Sequence, residues 1–128
     1  MADGTTAVDG STLVELVVPA DPQLLRIVRL VASGLASLAS LDLDGVEEVR
    51  VAADELVSTL IEVGTGQPVR IRLTVTDDLL RIEGSTVLAT GTTLAVDPMV
   101  DRVLEAVCTR HEWRTEGSEA HGIVERAL

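Results

Sequence analysis

A chain of 128 residues is long enough for one domain that buries roughly two-thirds of its unfolded surface. Its charge is lopsided: 21 acidic residues against 10 basic ones give −11 at pH 7, which disfavours direct DNA or RNA contact and suits either a basic protein partner or plain solubility. All ten basic residues are arginine, which excludes a P-loop lysine, a Schiff-base lysine and a lysine general base; Trp113 is the only aromatic, so Leu, Val, Ile and Ala must build the core.

Residues 1–12 are small and polar and are expected to form a disordered tail ahead of a single domain, 13–128. They lack the basic start and apolar core of a signal peptide, and no window approaches ~18 uninterrupted apolar residues, so no membrane span and a cytoplasmic location are expected. LVELVVP (13–19) reads as a short strand stopped by Pro19. Asp21-Pro22 then supplies a helix N-cap and a proline at the first helical position. Leu24, Ile27, Val28, Val31, Leu35 and Leu38 recur at helical spacing to about residue 39, with Gly34 and the small Ala32 and Ala36 suggesting a close helix contact, within the chain or with a second subunit.

LDLDG (41–45) reads as a loop, and Asp44 with Glu47 has capping-box spacing for a second helix running to about Glu62. Val49, Ala53, Leu56, Leu60 and Val63 centre its apolar face; Glu48, Glu55, Thr59 and Glu62 line one shoulder, and Asp54 and Ser58 point further out. GTGQP (64–68) ends it. VRIRLTVT (69–76) alternates apolar with polar residues, Asp77-Asp78 turns, and LLRIEG (79–84) alternates again, giving a hairpin. STVLATGTTLAV (85–96) reads as loop-like. Asp97-Pro98 is a second helix start, leading through 99–108, and HEWRTEGSEAHGIVERAL (111–128) reads as two strands around Gly117-Ser118. Helices on one face of a mixed, mostly antiparallel sheet follow from this order: a two-layer α/β sandwich.

Most chemistry-bearing residues read blandly. His111-Glu112 lacks a second histidine at the spacing a zinc helix needs, since Thr115 stands there, and His121 belongs to a different strand, so no metal is expected. Cys108 is alone, which excludes an internal disulfide, and it lies on the apolar side of its helix as a small hydrophobe. Ser118 directly follows Gly117 and so misses the Gly-x-Ser-x-Gly elbow; Gly-x-Gly-x-x-Gly and Walker A patterns are absent. What remains is AADELVSTL (52–60), in which Glu55 and Thr59 sit one turn apart on one helix face. Such a pair could orient an attacking group and hold magnesium in an ATPase, or simply solvate the shoulder of an amphipathic helix.

VEEVRVAADELVSTLIEVG, following an Asp-Pro-started helix and preceding VRIRLTVTDDLLRIEG, resembles the anti-sigma factor and serine-protein kinase family of the Bergerat (GHKL) ATPase fold, over about residues 13–126. The likeness is greatest to actinobacterial anti-sigma factors. It implies ATP and Mg2+ as ancestral ligands, with Glu55 matching the family's catalytic glutamate and Thr59 standing where an asparagine binds magnesium. Gly84 falls where an aspartate reads adenine, and Glu83, one residue early, would point to the other face of its strand. Where a glycine-rich stretch should open a phosphate-binding helix, this chain has Asp97-Pro98-Met99, and the intervening segment is short for an ATP lid. The resemblance therefore implies an eroded nucleotide site, with no cofactor needed, on a regulator that sequesters an alternative sigma factor. It further implies a homodimer antagonised by a STAS-type anti-anti-sigma factor, without nucleic acid or membrane. A retained serine protein kinase, with ATP, Mg2+ and Glu55 as its catalytic carboxylate, is the alternative; a docking module in another signalling pathway is the third.

Overall fold

Val69, Ile71 and Leu73 alternate with Arg70 and Arg72, and the strand they form is the frame on which the rest is hung. The structure, a computed structural model, describes residues 11–128, so the expected tail falls almost wholly outside the described residues. Nine elements follow: β1 (Thr12–Val18), a 3-10 turn (Pro22–Leu24), α1 (Leu25–Leu38), α2 (Leu43–Val63), β2 (Val69–Val75), β3 (Leu79–Val87), α3 (Pro98–Val107), β4 (Arg110–Glu116) and β5 (Glu119–Ala127). The strands form one five-stranded sheet in the order β1-β2-β3-β5-β4, and every pairing among the described residues is antiparallel. The expected sandwich is thus present, with a sheet more uniform than the mixed one anticipated.

Strand alternation sorts the side chains by face. Ile71, Leu73, Leu80, Ile82, Ala120 and Val124 are buried beneath the helices, where they meet Leu56, Val57 and Leu60 of α2. Among the described residues no helix covers the opposite face, which carries an ion-pair lattice: Arg81 and Arg110 both grip Glu125, and Arg72 reaches Glu15. Burial alone would raise the Glu125 carboxyl, but the two arginine hydrogen bonds outweigh it and hold it below the ordinary carboxylate range.

Helix α2 lies directly on β3 and β5, with α1 and α3 against its flanks. Two glycines allow this approach. Gly84 and Gly122 are register partners on β3 and β5, both beneath α2. A Cβ on Gly84 would stand 2.6 Å from Leu60 Cδ1, and one on Gly122 would stand 2.5 Å from Leu56 Cδ1 and 2.7 Å from Trp113 Cζ3. Both leucines are fully buried and have nowhere to swing.

Four local expectations are corrected. The N-cap of α2 is Asp42, whose carboxylate accepts from the Gly45 amide at 2.8 Å; Asp44 sits in the first turn because Leu43 is already helical. Helix α1 buries Leu25, Val28, Ala32, Leu35 and Ala36, while Ile27 and Leu38 of the expected stripe face outward. The two alanines are small enough for α1 to lie close against α2, and this rotates the larger aliphatics toward solvent. They are therefore spent within the domain and cannot meet a second subunit, whereas a Cβ on Gly34 would have open space around it. Lastly, β3 continues through Ser85, Thr86 and Val87, because Thr86 is buried and its hydroxyl donates to the Gln67 and Pro68 carbonyls at 3.4 and 3.3 Å. Only 88–97 remain irregular, tethered by a bridge between Gly64 and Leu88.

The glycines divide cleanly by experiment. Gly84→Ala or Gly122→Ala should destabilise the domain by about 1–3 kcal/mol in urea unfolding through overpacking. Gly34→Ala, on an open helical surface, should stabilise it by roughly 0.5–1 kcal/mol.

Candidate functional site

The middle of α2 carries Asp54-Glu55 and, one turn later, Thr59. Asp54 does not simply project into solvent: its carboxylate accepts from Arg29 Nε at 2.9 Å, tying α2 to α1. Thr59 is buried, and Glu55 is only partly exposed. Glu48, further up the same shoulder, is engaged by Arg126, which also donates to the Val107 carbonyl at 3.4 Å and so gathers α2, α3 and β5. Among the four shoulder residues, only Glu62 is exposed.

The chain between β3 and α3 then brings a third acid to this place. Asp97 caps α3, its carboxylate accepting the Met99 amide at 2.8 Å, with Pro98 at the first helical position. Burial raises the Glu55 carboxyl above its ordinary range, and the negative charges of Asp54 and Asp97 raise it further. The proximity of Asp97 was not legible in the sequence, because it depends on how 88–97 return α3 to α2.

Gly84 lies on the helix-facing side of β3, and the space above it is taken by Leu60 and Leu56. Glu83 lies on the opposite face, where Arg81 Nη1 stands 4.0 Å away. The structure thus lets the Asp97 charge act on Glu55 and places Thr59 one turn along the same helix. It makes Gly84 a packing contact of α2. A second polar set escaped sequence reading: Asp101 of α3 accepts from Trp113 Nε1 at 3.1 Å and contacts His111 Nε2 at 2.9 Å, pinning α3 to β4. His111 and His121 are far apart in register, and His121 instead meets Glu119 at 3.3 Å. Among the described residues, no group of three or more His, Cys, Asp or Glu is arranged to hold a metal ion.

A magnesium nucleotide makes demands that these residues can be measured against. A triphosphate at the start of α3 would meet the Asp97 charge, a missing Pro98 amide, and a Met99 amide already engaged. A base reaching Gly84 would collide with leucine methyls. No buried side-chain nitrogen or oxygen among the described residues lacks a hydrogen-bond partner, so none waits for a ligand. The residues present do not fit the group. A hollow of about 500 Å3 does open beside 88–93, but it is lined by threonines and the β4–β5 turn, with neither Glu55 nor Thr59 on its wall.

A five-stranded antiparallel sheet, three helices on one face and an acidic helix shoulder beside a capped third helix define a class. The family model described as "Histidine kinase-like ATPase domain" matches residues 18–97, more than half of the chain, from the end of β1 to the cap of α3. The chain belongs to that family. No curated protein matches it. Among the described residues, no helix is long and apolar enough to cross a membrane.

The repulsion at Glu55 has a measurable sign. Because its carboxyl is raised in the folded state, ionisation opposes folding at pH 7 and has no effect once pH falls below the unfolded carboxylate range, where both states are protonated. Glu55→Gln should therefore stabilise the protein at pH 7, by no more than about 1 kcal/mol for a partly solvated group. The gain should vanish near pH 3 in the same thermal melts.

Proposed function

We propose that this chain is an anti-sigma-type regulator, which acts by sequestering an alternative sigma factor through direct protein contact and without ATP turnover. One observation carries the reading: the position aligned with adenine recognition, Gly84, is closed by Leu56 and Leu60, while Asp97 adds charge where phosphates would sit. The fold of a histidine kinase-like ATPase is kept, and the features that grip a nucleotide are replaced by packing and repulsion.

The outer face of α1 supports a protein partner. Ile27, Leu30 and Leu38 are exposed there, Leu30 and Leu38 by 72% and 79%, and Leu43 follows at the start of α2. Helix α1 contains two arginines and no acid, unlike the strongly acidic chain around it. Mechanistically, regulation is occlusion: an interface of about 1,600 Å2 or more would cover the sigma factor's working surface. A homodimer, and release by a STAS-type anti-anti-sigma factor, complete the proposal.

The test combines two measurements. Calorimetric titration with Mg-ATP should give no sub-millimolar binding, and co-expression with the host's alternative sigma factors should yield one stable complex, lost on Leu30→Asp. Sub-millimolar Mg-ATP binding abolished by Glu55→Ala or Thr59→Ala would restore the kinase reading. Recovery of a response regulator and no sigma factor would turn the case toward a docking module elsewhere in signalling.

A further inference from the structure

The uncovered face of the sheet is organised in rows, one residue from each strand. In one row Arg72 pairs with Glu15, with Glu83 and Glu112 alongside; in the next, Arg81 and Arg110 share Glu125. Each arginine of these two rows is paired with a carboxylate on the same face, and together the rows set three positive charges against four negative ones. A third row runs Val17, Arg70, Ser85, His121, Arg114 through the register of β1, β2, β3, β5 and β4, and it contains no carboxylate. Arg70 has no ion-pair partner among the described residues. Arg114 has only the exposed Glu116 of its own strand, at 3.5 Å, and His121 only Glu119, at 3.3 Å.

This row floors a hollow of about 300 Å3. Arg70 and Arg114 stand three strand spacings apart, roughly 14 Å between backbones, so two extended guanidinium groups can close on one object above Ser85 and His121. That object must be compact. Glu15 and Glu83 reach the hollow from the row on one side, although both face arginines, and Glu116 and Glu119 bound the row on the other. An extended acidic chain would run onto these carboxylates, whereas a single tetrahedral anion would lie between them.

We infer that the Arg70–Ser85–His121–Arg114 row is a binding site for a small phosphorylated ligand, an inorganic phosphate, pyrophosphate or compact phosphate ester. Forked guanidinium donors match phosphate oxygens in pairs, the Ser85 hydroxyl and a His121 ring nitrogen add donors from the floor, and the hollow has the lower-end size of a small-molecule site. It lies on the sheet face opposite the Glu55 shoulder and is independent of what that shoulder does.

The experiment is an NMR titration of the uniformly 15N-labelled full chain with inorganic phosphate and with pyrophosphate, against chloride and succinate at matched ionic strength. Saturable shifts are expected at Arg70, Ser85, Arg114 and the His121 ring, with millimolar or tighter affinity for pyrophosphate. The Arg70→Gln/Arg114→Gln double variant should bind at least about tenfold more weakly, and Arg102→Gln, exposed on α3 and outside the hollow, should change affinity less than about threefold. Should the double variant fail to fold, the single variants carry the same expectation with smaller effects. Shifts that do not saturate, that map elsewhere, that chloride or succinate reproduces, or that survive both arginine changes would overturn the site.

Discussion

Helix α2 rests on the sheet where β3 and β5 present glycines side by side, and almost everything else in the molecule is positioned by that contact. Gly84 and Gly122 remove two β-carbons from the floor, and Leu56 and Leu60 descend into the gap until little but hydrogen separates helix from sheet. Closeness of this kind is worth having because dispersion falls steeply with distance. It also fixes which face of α2 is turned down, and hence where Glu55, Thr59 and Asp54 emerge. Helix α1 is held by the opposite flank of α2 and α3 by the other, so a loosened central contact would disturb all three helices together.

The same contact bears on the proposed loss of nucleotide handling. A carboxylate at position 84 would need the room that Leu60 now fills, so aligned recognition of a base and tight seating of the helix compete for one volume. Favouring the seat strengthens the core and, on the proposed reading, closes the base pocket in the same step. The acidic meeting of Asp54, Glu55 and Asp97 is a smaller strain on the fold, tolerable because all three are at least partly solvated.

How far the sequence revealed this depends on what each feature rests upon. Alternation made β2 and the first half of β3 plain, and the two Asp-Pro caps fixed the beginnings of the first and third helical segments, since both signals are local. The end of β3 was hidden because Ser85-Thr86-Val87 lacks an apolar alternation; burial of the Thr86 hydroxyl against the 67–68 carbonyls makes it a strand. The buried face of α1 was misjudged for a different reason. Arg26, Arg29, Ser33 and Ser37 mark one polar side of that helix, but the apolar arc left over is wider than the part that is buried, and only the partner helix decides which portion of it is inside. Glu55 and Thr59 were visible as a pair, but Asp97 beside them, Asp101 between His111 and Trp113, and the glycine pair across β3 and β5 arise from tertiary neighbours with no sequence period.

Cys108, at the end of α3, has a consequence of its own. Burial pushes its thiol up to about 11, with Glu48 adding to the effect and Arg126 only partly opposing it. At neutral pH about one molecule in ten thousand then carries the reactive thiolate. The native protein should therefore be nearly inert to maleimides and mild oxidants, so that a fluorophore attached through a cysteine introduced on an exposed helix would report from that place alone.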